Sequence, residues 1–214
     1  MCIYLMLFSA LPVLGVVLQS INHNLRTSSP CLSLAVLYVY LTMQNKKVIT
    51  DGLTGINNRR ELDAYLERRL KQRTEWGMLL IDVDDFKKIN DTIGHKIGDE
   101  ALWHVADILR TEFSGDGCFV ARYGGDEFVI CGEWKNRAEL EQCIASIQKR
   151  VDSFNMEKER NYKLSLSVGA ALWSECADSE ASIVELADRS MYKQKQIHKE
   201  RRNAGSEQYS IYSG

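Results

Sequence analysis

The fold of this chain is decided by the stretch RYGGDEF at residues 122–128. Short runs of β-prone residues flank it, CFVA at 118–121 before it and VIC at 129–131 after it. Two such runs joined by Gly-Gly predict a β-hairpin, because glycine adopts the positive φ of a tight turn without steric cost. Asp126 and Glu127 then lie at the tip, where a metal or a phosphate has close access to backbone and carboxylates. An ordinary polar hairpin tip is the competing interpretation, since Gly-Gly-Asp is common in turns.

A second acidic stretch, MLLIDVDDFK at residues 78–87, lies upstream of the hairpin. An apolar run that ends in carboxylates predicts a buried strand with acids at its C-terminal end. Ligand sites of α/β sheets often occupy that position. One carboxylate from this strand and one from the hairpin, joined around a hard divalent cation, could hold a magnesium–triphosphate complex.

Length and composition set the bounds. A chain of 214 residues allows one domain with an appendage, or two small domains. The net charge of −2 gives no nucleic-acid footprint, so we expect no nucleic-acid partner. The six cysteines have no paired spacing, and several lie in apolar runs. We therefore expect reduced core cysteines and not metal ligands or disulfides.

The first 45 residues differ in character from the rest. Residues 1–18 are almost entirely apolar and uncharged, long enough as a helix to cross a bilayer. Residues 31–43 are apolar but short for a span, and Lys46 and Lys47 follow directly, which the positive-inside rule places in the cytoplasm. We predict a membrane-associated segment at 1–45 with two spans, at the cell membrane, and a cytoplasmic remainder. A pair of buried helices is the soluble alternative, and the segment also resembles the end of a truncated sensor domain.

Residues 46–214 predict a second domain of mixed α and β structure. The predicted elements are a helix from the N-cap Asn58 to about residue 73, a strand at 76–83, an amphipathic helix from about 97 to 109, the hairpin at 118–133, a helix at 137–154, a strand around 164–168, a helix at 182–198 and an edge strand at 207–212. This order favours an α+β fold, with an antiparallel-rich central sheet and surrounding helices, close to a ferredoxin-like arrangement. Asp99 lies near the start of a helix, where a capping role and a ligand-binding role are both open.

From about Thr50 to Tyr212 the chain resembles the GGDEF domain of the diguanylate cyclase family. The motifs that carry the resemblance are DxLTGxxNRR at 51–60, IDVDxFKxxND at 81–91, GHxxGD at 94–99, RYGGDEF at 122–128, SVG at 167–169 and ADxxxY at 187–192. Each motif alone is weak, but six in the right order over most of the chain are not a chance pattern.

The resemblance implies a cyclase-type palm that condenses two GTP molecules into cyclic di-GMP, a bacterial second messenger, with release of pyrophosphate. In this family one domain binds one GTP and two domains face each other, so the active unit is expected to be a homodimer. Phosphoryl-type transfer of this kind depends on positioning and charge neutralisation more than on covalent chemistry.

The resemblance also assigns roles to single residues. Asp82, the carbonyl of Val83 and Asp126 would hold Mg²⁺, with Mn²⁺ as a substitute, and either Asp126 or Glu127 would accept the proton. The residues implied for substrate binding are Asn90 and Asp99 with His95 for the guanine, Lys87 and Lys195 for the phosphates, and Gly124 and Gly125 for access to the turn.

Three positions depart from the family pattern. Gly52 stands where the family usually has Pro. Residues 115–118 are Gly-Asp-Gly-Cys where the product-inhibition motif is usually Arg-x-x-Asp, so we predict no inhibitory site of that kind. The usual ending Lys-x-x-Gly-Arg-Asn is drawn out to KQIHKERRN at 195–203, which leaves the basic phosphate contact open. This basic helix end could equally be a solvated face that complements the helix dipole.

Two other functions compete with the active cyclase. One is a catalytically silent GGDEF-like module that binds GTP and regulates a partner; the intact acids at 82, 126 and 127 argue against it, because a silent module has no physical need of metal ligands. The other is a membrane interaction fragment with a nonfunctional remnant domain.

Overall fold

The structure of the protein, a computed structural model, describes residues 2–21, 28–45, 49–72, 74–115, 117–157, 161–176 and 182–211. Internal contacts divide the chain into two compact units, Met1–Ile49 and Thr50–Gly214. The first unit contains helices α1 (Cys2–Ile21) and α2 (Ser28–Asn45). Within the ranges just given, we find no helix with both the length and the apolar character that a membrane span requires. The two spans predicted for residues 1–45 are therefore not supported.

The second unit is a four-stranded sheet covered by helices. Its elements are α3 (Arg59–Leu70), β1 (Gly77–Val83), α4 (Phe86–Ile93), α5 (His95–Glu112), β2 (Phe119–Gly124), β3 (Glu127–Gly132), α6 (Arg137–Met156), β4 (Leu166–Leu172), a 3₁₀ turn (Trp173–Cys176) and α7 (Ile183–Ile211). The strand order is β2-β3-β1-β4, and each neighbouring pair is antiparallel. This confirms the predicted α+β class, and the order of elements is that of a ferredoxin-like fold.

The central strand β1 divides the core into two layers. Leu79 and Ile81 pack with α5 and α6, whereas Met78 and Leu80 pack with α3 and α7. Successive side chains of a strand point to opposite faces, which accounts for this alternation. Asp82 continues the even-numbered series, so its carboxylate lies on the face that α3 and α7 cover.

Sequence signals for the helix starts hold where they rest on local chemistry. Asn58 caps α3 by accepting a hydrogen bond from the Glu61 N–H at 3.0 Å, as predicted. Asn136 caps α6 in the same way, from the Glu139 N–H at 3.0 Å. Each cap satisfies one of the donors that the first turn of a helix leaves open.

Two of the predicted elements are corrected. The edge strand predicted at 207–212 is wrong, because α7 continues as a helix to Ile211; residue 212 lies outside the described residues. The capping role considered for Asp99 is also wrong, because α5 begins at His95 with Gly94 as its N-cap. Gly94 has φ of +102°, a value that suits glycine and ends the short helix α4 before α5 begins.

Residues from other segments form hydrogen bonds with both edge strands of the sheet, β2 and β4. At β2, the Arg122 N–H donates to the Asn57 carbonyl at 2.8 Å, and the Asn57 side chain donates to the Val120 carbonyl at 2.8 Å. At β4, the Arg137 guanidinium donates to the Ala170 carbonyl at 3.0 Å. The segment ahead of α3 thus lies along β2 as a short addition to the sheet.

The prediction of reduced core cysteines is met in full at Cys131, whereas the cysteines at 31, 118, 143 and 176 are free but only partly buried. Five cysteines whose side chains the structure describes, at 31, 118, 131, 143 and 176, are free thiols. Cys131 is fully buried on β3, and burial raises the pKa of its thiol far above the usual value. It is therefore a core side chain and not a nucleophile.

Candidate active site

The end of β1 meets the hairpin turn. Asp82 is opposite Glu127 in the β1–β3 register, and the Val83 N–H donates to the Asp126 carbonyl at 3.2 Å. The acids of two distant stretches of sequence are therefore brought to one place. This is the assembly that the sequence led us to expect for Asp82, Val83, Asp126 and Glu127.

Asp82 is buried, with 6% of its surface exposed, and it carries an ion pair with Lys195. The Lys195 Nζ lies 2.7 Å from Asp82 Oδ2. Burial raises the pKa of Asp82 to about 6; Lys195 opposes the shift, and the negative charges of Asp126 and Glu127 add to it. Burial, and then the charge of Asp126, also raises the pKa of Glu127. Negative charge is thus concentrated where a cation would relieve it.

The donor chemistry of this cluster fits a hard divalent cation. No group of three or more His, Cys, Asp or Glu side chains within the described ranges is gathered as a ready metal site. Mg²⁺ does not need one, because it is commonly held by one or two carboxylates and completes its octahedron with water and substrate phosphates. The ammonium of Lys195 at Asp82 shows that this position accepts positive charge. Asp82, Asp126 and the Val83 carbonyl could therefore hold Mg²⁺ or Mn²⁺.

Two glycines keep the hairpin turn accessible, and Arg122 stabilises it through hydrogen bonds. Gly125 has φ of +55°, and a side chain at Gly124 or Gly125 would meet open space, so both glycines leave the turn accessible. Arg122 donates through Nε and Nη2 to the Gly125 carbonyl, at 3.0 and 2.7 Å. Its Nη1 forms an ion pair with Asp51 at 3.1 Å. Arg122 thereby links the turn to the segment that enters the domain, a role that we did not predict from the sequence.

The residues expected to recognise guanine lie on α4 and α5. Asn90 is half-buried on α4, and Asp99 is exposed in the second turn of α5. A Cβ placed on Gly98 would overlap Asn90 Oδ1, far inside the 3.0 Å that real Cβ contacts keep. The Asn90 amide therefore packs against Gly98 of α5, the residue next to Asp99. His95, at the start of α5, is exposed.

The two lysines expected to contact phosphate differ in position. Lys195 lies at the acids through its ion pair with Asp82. Lys87 is exposed in the first turn of α4, a helix that begins without a side-chain cap. The open N–H groups of a helix N-terminus attract anions, so Lys87 and this turn form a second positive feature. Side chains of residues 201–203, the far end of the drawn-out basic stretch, lie outside the described residues.

A second buried carboxylate, Asp84, lies next to the site and forms hydrogen bonds with three side chains. The sequence did not predict these contacts. Ser165 and Ser167 each donate to it at 2.6 Å, and His198 Nδ1 lies 2.9 Å from its Oδ2. Burial acts to raise the pKa of Asp84, but the hydrogen bonds from Ser165, Ser167 and His198 outweigh it and hold the pKa below the usual 3.8. Asp84 therefore remains an ionised anchor and not a proton carrier.

Comparison with known proteins decides the family. The profile of the family described as "Diguanylate cyclase, GGDEF domain" matches residues 48–201. The chain belongs to the GGDEF family. The resemblance on which the site residues were chosen is thus confirmed for the GGDEF domain as a whole.

Two curated relatives illustrate the similarity. "Diguanylate cyclase DosC" of Escherichia coli is 35% identical over 148 residues, which cover 66% of this chain and 32% of DosC. "Response regulator PleD" of Caulobacter vibrioides is 34% identical over 154 residues, covering 69% of this chain and 34% of PleD. The chain thus spans about a third of the length of these relatives.

A solved structure supports the same assignment. The GGDEF domain of DgcB from Caulobacter crescentus, determined in complex with c-di-GMP, superimposes with a TM-score of 0.63 at 28% identity. The match covers 70% of this chain and 89% of that domain. The GGDEF fold of the second unit is therefore shared with a protein whose structure is known.

Proposed function

We propose that the GGDEF domain of this chain is a diguanylate cyclase that condenses two GTP molecules into cyclic di-GMP and releases pyrophosphate. The observation that carries the proposal is the hydrogen bond between the Val83 N–H and the Asp126 carbonyl, which joins the acids of β1 to those of the hairpin. Relatives that share the domain are named diguanylate cyclases. The similar GGDEF domain of DgcB was determined with c-di-GMP bound, which supports a cyclic di-GMP product here.

Each GTP would be held at its two ends. Asn90 and Asp99 would recognise guanine, with Asp99 accepting from the base N1–H and amino group, a donor pattern that adenine lacks; His95 would assist. The triphosphate would lie between Lys87, at the uncapped first turn of α4, and Lys195. This arrangement fixes the α-phosphate close to the acids, and positioning of that kind can supply a large part of the rate enhancement.

The acids would bind the metal ion and accept the proton of the attacking hydroxyl. Asp82, the Val83 carbonyl and Asp126 would hold Mg²⁺, which supplies Lewis acidity at the α-phosphate when bound. The 3′-hydroxyl of one GTP forms a bond to the α-phosphorus of the other, and pyrophosphate leaves. Glu127 is suited to accept the hydroxyl proton, because burial and the charge of Asp126 raise its pKa toward the range in which a general base works well.

This mechanism requires a homodimer. One domain offers one guanine site and one set of acids, so two domains must face each other to close both phosphodiester bonds. A site assembled from two identical halves is typical of two-fold symmetric association. The rate at low protein concentration should therefore rise faster than linearly with the concentration of the chain.

The decisive experiment follows nucleotides by chromatography, with the full chain, GTP and Mg²⁺, over a series of protein concentrations. We expect cyclic di-GMP, a steeper than linear concentration dependence, and complete loss of product in Asp126→Ala. GTP bound without product, even when two domains are forced together, would favour the catalytically silent regulatory module. In the same assay we expect no noncompetitive inhibition by low micromolar cyclic di-GMP, because residues 115–118 lack the Arg-x-x-Asp pattern.

The cellular location of the domain is a separate proposal. We propose that residues 46–214 lie in the cytoplasm, where GTP is available. Protease added to intact cells should leave this domain whole, and its cleavage under those conditions would contradict the proposal.

A further inference from the structure

Two adjacent contacts join helix α7 to the end of β1: an ion pair at Asp82 and a hydrogen bond at Asp84. Lys195 Nζ lies 2.7 Å from Asp82 Oδ2, and His198 Nδ1 lies 2.9 Å from Asp84 Oδ2. The spacing explains why both pairs form. Residues three apart share one face of a helix, and residues two apart share one side of an extended chain. The side chains of Lys195 and His198 therefore meet the carboxylates of Asp82 and Asp84 in register.

The contact between Asp84 and His198 forms in either protonation state of the His198 Nε2. Asp84 is 7% exposed and accepts from Ser167 on β4 and from Ser165 just before this strand, so its carboxylate is fixed in place. An ionised carboxylate only accepts hydrogen bonds, so His198 must carry a hydrogen on Nδ1 to bond with it. That hydrogen is present in both the imidazolium and the matching neutral tautomer. The contact therefore does not depend on whether Nε2 is protonated.

Lys195 lies between this pair and a second anchor. On the upstream side, the Val168 N–H donates to Gln194 Oε1 at 3.2 Å. One and two turns further upstream, α7 packs directly on β4, because a Cβ on Gly169 would overlap backbone atoms of Met191 and Ala187. His198 is the contact on the downstream side. The backbone of α7 at Lys195 is thus fixed from both directions.

Lys195 needs such support because its own ion pair cannot be permanent. If Asp82 holds a metal and Lys195 holds the triphosphate, Nζ must leave Asp82 when substrate and metal bind. We propose that His198 is a positioning residue: by holding α7 to Asp84, it keeps Lys195 placed for the phosphates after Lys195 has left Asp82. The proposal rests on the proposed function. It concerns this chain in particular, since the usual family ending Lys-x-x-Gly-Arg-Asn has glycine three residues after the lysine.

The test is a double-mutant cycle on nucleotide affinity in the full chain. The dissociation constant of a non-hydrolysable GTP analogue with Mg²⁺ is measured by calorimetry for wild type, His198→Leu, Lys195→Met and the double variant, beside KM and kcat for GTP. We expect His198→Leu to weaken binding and raise KM about tenfold with a much smaller change in kcat, a factor that corresponds to about 1.4 kcal/mol. In the Lys195→Met background, His198→Leu should add less than about a factor of two, because the effect of His198 on binding acts through Lys195 and the two losses are then not additive.

Two further variants separate positioning from stability. His198→Asn keeps a donor near the position of Nδ1 and should restore most of the affinity. Gln196→Leu changes an exposed residue of the same helix and should bind the analogue as wild type does. Unchanged affinity in His198→Leu, or a double variant that loses the full product of both factors, would overturn the proposal. Absence of cyclic di-GMP from wild type would instead overturn the proposed function, because the binding cycle does not require turnover.

Discussion

Replacement of Gly98 by alanine tests how the guanine-recognition side chains are held. Gly98 is buried on α5, and a methyl group there would occupy the space of the Asn90 side-chain amide. Alanine is favoured over glycine inside a helix by about 1 kcal/mol. Forcing Asn90 away from its present side-chain conformation costs about 0.5–1.5 kcal/mol. The two effects nearly cancel, so the free energy of unfolding should change by less than about 1 kcal/mol.

Affinity for GTP should respond much more strongly than stability. Once displaced, Asn90 no longer presents its amide to the base, and one or two hydrogen bonds of about 0.5–1.5 kcal/mol each are lost. A loss of about 1.4 kcal/mol corresponds to a tenfold weaker dissociation constant. Calorimetric titration with a non-hydrolysable GTP analogue and urea denaturation of the same samples give both quantities.

Matched variants make this prediction specific. Gly52→Ala is the same substitution where a Cβ would meet open space, and it should leave affinity unchanged. Asn90→Ala should weaken binding as much as Gly98→Ala does, and combining the two should add nothing. The reasoning is refuted if Gly98→Ala binds the analogue as wild type does, or if the double variant shows the sum of both losses.

Three further variants test the acids, the helix contact and the turn. In EDTA, the unfolding free energy of wild type should fall by about 3 kcal/mol relative to that of Asp82→Asn between about pH 4 and pH 8. The folded pKa of Asp82, about 6, lies above the unfolded 3.8, so the stability that Asp82 contributes is lost as pH rises through it. Parallel urea-denaturation profiles of the two proteins would contradict this. Gly169→Ala pushes against the backbone of α7 and should cost about 1–3 kcal/mol in the same measurement, together with weaker GTP binding; wild-type values of both would disprove the close contact. Arg122→Met removes the bonds to the Gly125 carbonyl and should lower kcat at least about tenfold in steady-state kinetics, whereas an unchanged kcat would show that the turn holds itself.

Local chemistry explains what the sequence could predict. The apolar run before Asp82, the Gly-Gly turn and the cap at Asn58 each depend on neighbours in sequence, and each is found at its predicted place. The predicted strand at 207–212 failed because a short segment of β-prone residues does not make a strand by itself. A strand exists only where another strand offers its N–H and C=O groups, and this segment continues α7 instead.

Long-range partners explain what the sequence could not predict. His198 bonds to a residue 114 positions away, and Arg122 to one 71 positions away. No pattern within either segment encodes such a distance, since the pairing depends on how α7 and the entering segment pack on the sheet. Asp82 was chosen for its motif, but its burial and its ion pair with Lys195 follow from the same packing.

The cover on β2 has a practical consequence for any shortened form of the protein. An open strand edge is a template for pairing with another chain, and proteins commonly shield such edges to avoid aggregation. Here Asn57 supplies the shield, through its carbonyl to Arg122 and its side chain to Val120. A fragment that starts at α3 would keep every proposed catalytic residue and still expose this edge. Such a fragment should self-associate and precipitate, whereas one that starts before residue 50 should stay dispersed.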